Sequence, residues 1–394
     1  MNKPLVIYNV TVYGETTVYP NGYLKIENGL ITELGSIHDY QKSSNDRVIE
    51  YSPDFIVVPG AIDVHIHGAG NADAMDATED ALKTMAATLP KEGTTSFLPT
   101  TMTQSVEAIN DALIACGHFI TNNQNNAQAE ALGIHLEGPF ISAKRAGAQP
   151  LHHIQQPSVE QFKRWQDLAQ HHIRLVTLAP EELGGTELVK YLNQTNVVAS
   201  IGHSDATYEE VVAAIGAGAS HVTHLYNGMR GIHHREPGVL GAAYLREELY
   251  TELIADGIHS HKEMVKLAYQ QISSERLILI TDSLRAKWLE SGVYDLGGQP
   301  VHVNETMATL GDGTLAGSIL KMNDAMKNMI DFTSCSVSDV IQMTAVNPAK
   351  QIGVFNRKGS LKVGKDGDCV VLNKNFDVQL TVCRGHIAYE QGEQ

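Results

Sequence analysis

The chain runs to 394 residues, 43% of them hydrophobic and 19% charged. This is the composition of a folded globular protein, not of a disordered one, and the length allows one large domain and a smaller companion. With 45 Asp and Glu against 29 Lys and Arg the formal net charge is −16, which argues against broad binding of nucleic acid or of an anionic membrane and requires any anionic ligand to find a local positive site.

In chain order, Leu5–Tyr13, Gly22–Leu34 and Arg47–Tyr51 alternate as strands do, and Asn21-Gly22 and Asn28-Gly29 supply turn chemistry between them. From Phe55 the pattern changes. Eight apolar runs follow: Phe55–His67, Thr94–Thr101, Ala131–Phe140, Ile173–Pro180, Asn196–His203, Ser220–Asn227, Leu249–His259 and Arg276–Asp282. Stretches of helical composition lie between most of them, among them Glu79–Leu89, Gln104–Phe119, Val159–Ala169, Tyr208–Gly216 and Lys262–Ile272. Leu277-Ile278-Leu279-Ile280 is apolar on both faces, as a buried parallel strand is. Eight strand-helix units suggest a (β/α)8 barrel of the TIM type over residues 56–354, although the spacing alone also allows a doubly wound open sheet. The end of the chain is strand-like again at Gly359–Val363, Cys369–Asn373 and Val378–His386.

The four cysteines, Cys116, Cys335, Cys369 and Cys383, form no CxxC pair and read as small buried hydrophobes of a reducing compartment. No apolar run approaches the roughly 20 residues of a membrane-crossing helix. Met1-Asn2-Lys3-Pro4-Leu5 enters a strand without a secretory core. A cytoplasmic protein with no membrane partner is expected.

In a barrel, chemistry sits where strands end and loops begin. The ends of these runs give, in order, His65 and His67, Glu137, His203, His224, His259 and Asp282. His65-Ile66-His67 puts two imidazoles on one face of a strand. Neutral imidazoles with a carboxylate are ligands for zinc, iron and related divalent ions. Asp282 alternatively reads as a helix N-cap and His259 as a packing residue. His221 reads as structural, and the pairs His152-His153, His171-His172 and His233-His234 as solvated or local.

The segments PGAIDVHIHG, HLEGPFIS, IGHSDA, HLYNGM, REPG, ADGIH and ITDS together resemble the N-acetylglucosamine-6-phosphate deacetylases of the amidohydrolase superfamily. The resemblance runs from Val6 to about Ile387. It implies hydrolysis of the acetamide of N-acetyl-D-glucosamine 6-phosphate to D-glucosamine 6-phosphate and acetate, in amino-sugar catabolism. It further implies that Glu137, His203 and His224 hold the principal divalent metal (Zn²⁺ or Fe²⁺, with Mn²⁺ or Co²⁺ as alternatives) and that Asp282 is the general base and acid. His259, Ala148, Gln149 and Leu315-Ala316-Gly317 correspond to substrate contacts. Asn227, the backbone of Gly228, and Arg235 correspond to phosphate-binding groups. In the family that arginine reaches the neighbouring subunit's site, which implies a homodimer. A small β-sandwich domain built from residues 1–55 and 355–394 is likewise a superfamily feature.

Two departures shape the expectation. This chain keeps His65 and His67, which some members lack, and has Gln149 where some carry a histidine that helps polarise the acetyl carbonyl. Gln149 can donate a hydrogen bond but cannot become cationic, so a second metal on His65 and His67, bridged by Glu137, would supply the missing polarisation. The alternatives are a dihydroorotase-like or allantoinase-like cyclic amidase, which would need a bridging lysine, and a metal-binding or regulatory protein on a worn enzyme scaffold, which would not need Asp282.

Overall fold

The computed structural model describes residues 3–392. Met1, Asn2, Glu393 and Gln394, the outermost residues of the two terminal segments, lie outside the described residues. Each of the eight apolar runs contributes a strand to one parallel sheet: Ala61–Ile66, Thr94–Thr101, Ile134–Glu137, Ile173–Leu178, Val198–Ile201, His221–Val222, Tyr250–Leu253 and Leu277–Leu279. Neighbours pair in chain order and in parallel. The eighth strand meets the first through its end: the Asp282 amide donates to the His65 carbonyl at 2.8 Å, and the Thr281 hydroxyl donates to the buried Asp63 carboxylate at 2.5 Å. Those bonds draw the sheet into a barrel, the first of the two architectures that the spacing allowed.

One helix follows each strand: Glu79–Thr88, Val106–Asn122, Val159–Leu168, Gly185–Gln194, Tyr208–Ala217, Gly238–Leu245, Lys262–Ile272 and Met322–Thr333. Several begin where a side-chain oxygen accepts from a free backbone N–H, as Thr78, Ser105, Ser158 and Thr207 do. Their apolar faces, such as Ile109, Leu113 and Cys116, seal the outside of the sheet in one continuous core. No helix among the described residues is long and apolar enough to cross a membrane.

The run from Phe55 to His67 is two strands, not one. Ile56–Pro59 pairs with Cys369–Leu372 and with Thr11–Val12 in the terminal sheet, and only Ala61–Ile66 enters the barrel. The join falls at Gly60, beyond the 55/56 division expected from the sequence. A Cβ there would lie 2.1 Å from the Thr95 hydroxyl, so only glycine lets the chain pass so close to the second barrel strand.

The terminal sheet has eight strands in the order His386–Glu390, Val378–Cys383, Cys369–Leu372, Ile56–Pro59, Leu5–Tyr13, Val18–Glu27, Leu30–Ser36, with Arg47–Glu50 parallel to the start of Leu5–Tyr13. Asn28 and Gly29 turn between two of its strands with φ of 51° and 85°, the positive pair that a tight hairpin requires. Its own core includes Ile7, Val10, Leu24, Val57, Val371 and Leu380. The expected strand at Gly359–Val363 makes only an isolated bridge, Leu361 with Gly14.

Between the eighth strand and the eighth helix lies an element that alternation did not reveal, a small antiparallel sheet of Gly292–Leu296, Gln299–Val303 and Ala308–Thr309. It packs Leu296 and Val301 on Met102 and Leu284 and so walls the open end of the barrel.

Barrel and terminal sheet are tied by a charge network. Glu130 accepts from Arg357 at 2.6 Å and forms an ion pair with Lys358 at 2.8 Å, while Lys358 also contacts Asp366 and Asp368. Burial would raise the Glu130 carboxyl, but the two cations hold it down at about 2 against an ordinary 4.5. A depressed carboxyl stabilises fully above the unfolded value and loses that contribution as pH falls from about 4.5 towards 2. At neutral pH it is worth on the order of 3 kcal/mol. Glu130→Gln is therefore expected to lower the calorimetric unfolding temperature at pH 7 by several degrees and to have much less effect near pH 3. Equal losses at both pH values would contradict this account.

Candidate metal centre and active site

Six side chains from five regions of the sequence meet at the open end of the barrel. Glu137 ends the third strand, and its Oε1 lies 3.2 Å from His203 Nε2, 3.2 Å from His224 Nε2 and 3.4 Å from His65 Nε2. Its Oε2 lies 3.3 Å from His67 Nε2. Asp282 Oδ1 completes the group, 3.2 Å from His67 Nε2 and 3.5 Å from His65 Nε2. These atoms form two ligand sets, Glu137 with His203 and His224, and His65 with His67 and Asp282. Glu137 stands between them.

The backbone is bent to present them. His203, His224 and Asp282 have φ of 48°, 29° and 48°, a left-handed conformation that costs a residue with a Cβ on the order of 1 kcal/mol or more. Such strain at three strand ends around one point marks a site and not a packing solution.

The far ring nitrogens fix which nitrogen faces inward. His203 Nδ1 lies 2.9 Å from the Arg145 carbonyl and His67 Nδ1 3.2 Å from the Thr100 carbonyl. His65 Nδ1 lies 2.9 Å from Glu252. Carbonyl and carboxylate oxygens only accept, so these Nδ1 atoms carry hydrogen and the Nε2 lone pairs point at the centre. His203 and His224 bring Nε2 within 3.1 Å of each other, and His65 Nε2 is buried with no hydrogen-bond partner. Lone pairs and carboxylates facing one another need positive charge between them. The same need appears as proton affinity: burial opposes a charged His67, but Asp282 and Glu137 outweigh it and push the imidazole up to about 10. Burial would also raise Glu137 and Asp282, and the surrounding imidazoles, His65 first, hold both low. A divalent cation meets this demand with nitrogen and oxygen donors of the usual kind, so the residues present fit a metal.

The cluster floors a cavity of about 260 Å³ lined also by Ala148, Gln149, Asn227, Gly228, His259, Leu315 and Gly317. His259 is partly buried and holds its ring by Nδ1, 2.6 Å from Asp256, leaving Nε2 for the cavity; burial disfavours its charge, but Asp256 prevails and raises its pKa. One expected contact is placed otherwise. Ala316 is buried in the core of the small antiparallel sheet and does not line the cavity. Arg235 is exposed, stands off the cavity of its own chain, and lies against the ring of His234 at 2.7 Å. Gln149 is committed on both sides: its carbonyl accepts from the Thr103 amide and its amide donates to Glu137 Oε2, each at 2.8 Å. The amide is thus turned towards Glu137.

Residues 56–388 match the amidohydrolase family model, a span that contains the whole barrel. The chain belongs to the amidohydrolase family. Within that family it falls among the N-acetylglucosamine-6-phosphate deacetylases. It is 48% identical to the one from Bacillus subtilis (strain 168) over 99% of this chain and 98% of that relative. It is 43% identical to the one from Lysinibacillus sphaericus over 97% of each. Among solved structures, a mutant N-acetyl-D-glucosamine-6-phosphate deacetylase from Mycobacterium smegmatis in complex with N-acetyl-D-glucosamine-6-phosphate superposes with a TM-score of 0.91 at 29% identity, covering 98% of this chain and 99% of that one.

In this amidohydrolase no lysine lines the cavity among the described residues. The buried Lys287 is spent on Glu92 at 2.7 Å. The bridging lysine that a cyclic amidase would need is therefore absent from the site, and that alternative is not favoured. Sequence reasoning missed Glu252, which holds both His65 and His221. It lies inside a strand and not at its end, and the apolar run around it offers no signal beyond a charged residue where a parallel strand should be apolar.

Proposed function

We infer that this protein hydrolyses the acetamide of N-acetyl-D-glucosamine 6-phosphate to D-glucosamine 6-phosphate and acetate. The observation that carries the reading is the convergence of Glu137, His203 and His224 with Asp282 at the open end of a barrel whose whole length matches deacetylases of that substrate. Glu137, His203 and His224 would hold one divalent ion, Zn²⁺ or Fe²⁺ first and Mn²⁺ or Co²⁺ next, and His65 and His67 with Asp282 a second. Bound there, such ions supply Lewis acidity, polarising the amide carbonyl and lowering the pKa of water from about 15.7 towards 7.

The protein's own groups then handle the proton and the substrate. Asp282, ionised and at the cavity edge, takes the proton of the attacking water and returns it to the amine nitrogen as the C–N bond breaks, so that no amide anion has to leave. His259, held by Asp256, is a hydrogen-bond donor for the sugar or the carbonyl oxygen. The cavity wall of Ala148 and Leu315 excludes water from the acetyl side. Gln149 orients Glu137 and leaves carbonyl polarisation to the second ion.

Phosphate is read by Asn227, the N–H of Gly228, and Arg235. The exposure of Arg235 and its distance from its own cavity support service to a neighbouring subunit, hence a homodimer. A planar guanidinium fork suits phosphate oxygens and gives this −16 chain its local positive site. A cytoplasmic place in amino-sugar catabolism follows from the substrate. Acetate release from the phosphorylated and unphosphorylated sugars tests the whole reading. The wild type is expected to favour the phosphorylated sugar strongly, and Arg235→Ala to lower kcat/KM about a hundredfold for that sugar while barely affecting the other. Equal losses on both would remove Arg235 as the phosphate reader, and no acetate from either would remove the activity.

A further inference from the structure

Glu252 sits within the seventh barrel strand, fully buried. Its Oε2 accepts from His65 Nδ1 at 2.9 Å and from the His224 backbone N–H at 3.1 Å, and its Oε1 accepts from His221 Nε2 at 3.1 Å. One carboxylate therefore holds a ligand of the second set by its ring and a ligand of the first by its backbone. Among the ring nitrogens turned away from the centre, only that of His65 rests on a carboxylate. His67 and His203 rest on carbonyl oxygens, and His224 Nδ1 has no partner. The His65 ring is braced from the other side by His135, edge-on at 4.5 Å, whose nitrogens are tied to the Val64 carbonyl and the Thr177 hydroxyl. His65 thus has one orientation open to it, with Nε2 aimed between Glu137 and Asp282.

We propose that Glu252 is the positioning residue of the second cation, setting its affinity by orienting His65 and making that imidazole a stronger donor. This rests on the reading that the site takes two ions. A carboxylate behind a ligand histidine fixes the tautomer and raises basicity, and losing such a partner typically weakens metal binding 10- to 100-fold. The contact to His224 goes to its backbone, so an amide oxygen replaces it without cost to the first ion.

The test uses the full chain, stripped of metal and reloaded from buffered Zn²⁺ solutions, with bound zinc per chain measured by mass spectrometry. The wild type is expected to take two ions. Glu252→Gln keeps the size and one acceptor but loses the charge; it is expected to weaken one ion at least tenfold and leave the other unchanged. His65→Ala is expected to lose the same ion, and the double variant to show no further loss, because both changes act through one imidazole. A general structural role would weaken both ions or give additive effects, and either result overturns the proposal, as does unchanged affinity for two ions in Glu252→Gln. A wild type saturating at one ion overturns the two-ion reading together with it, and is distinguished by that stoichiometry. If Glu252→Gln is insoluble, Glu252→Asp, whose shorter arm withdraws from His65, is expected to show the same selective weakening.

Discussion

Asp282→Asn is expected to leave the chain folded, with the ion of Glu137, His203 and His224 in place and substrate still bound, while kcat for acetate release falls a thousandfold or more. Asparagine keeps an oxygen in the same place, within reach of His67 and His65, but it cannot carry a proton from water to nitrogen. An amide nitrogen leaves only when protonated, so the loss falls on the collapse of the tetrahedral adduct and not on binding. A positioned acid-base group contributes typically 10²- to 10⁴-fold, and here one residue serves both steps. Steady-state kinetics beside metal analysis and calorimetric titration with the phosphosugar would check it. Turnover within tenfold of wild type would falsify the assignment.

Stripping the metal is expected to abolish turnover to below about 1% and to lower the unfolding temperature, with both restored by Zn²⁺ or Fe²⁺. Several buried Nε2 lone pairs and two carboxylates then face one another with only protons to balance them. The stability effect follows from mass action: an ion at a thousand times its dissociation constant adds about 4 kcal/mol to the folded state. Glu137→Gln should behave like a partly stripped enzyme, because this carboxylate is shared by both ligand sets. Full activity in protein shown to be metal-free would rule out the metal-dependent reading.

Much of this arrangement was legible because barrel chemistry is confined to strand ends. The eight apolar runs lie where the strands are, and the residues that close them, His65 to Asp282, converge. What was not legible has physical causes. The split at Gly60 is invisible because both halves of that run are apolar, one for the terminal sheet and one for the barrel. The small sheet after Asp282 was missed because Gly292–Leu296 and Gln299–Val303 are short and half exposed, with little alternation to read. Ala316 illustrates a register problem: its neighbours Leu315 and Gly317 line the cavity and it points the other way. Gln149 lines the cavity as a substrate contact should, but nothing in a sequence tells that the Thr103 amide holds its carbonyl and thereby aims its amide at Glu137.

The bonds that shut the barrel, Asp282 N–H to the His65 carbonyl and Thr281 to Asp63, join segments 218 residues apart in the chain. The two ligand sets therefore differ in when folding completes them. Glu137, His203 and His224 come from the third, fifth and sixth strands and can meet in a partly assembled sheet. The set of His65, His67 and Asp282 exists only after the last strand has docked against the first. A chain cut or permuted to open that seam should still capture one ion and yet be inert, so metal content alone is a poor sign that synthesis of this enzyme has ended in a working molecule.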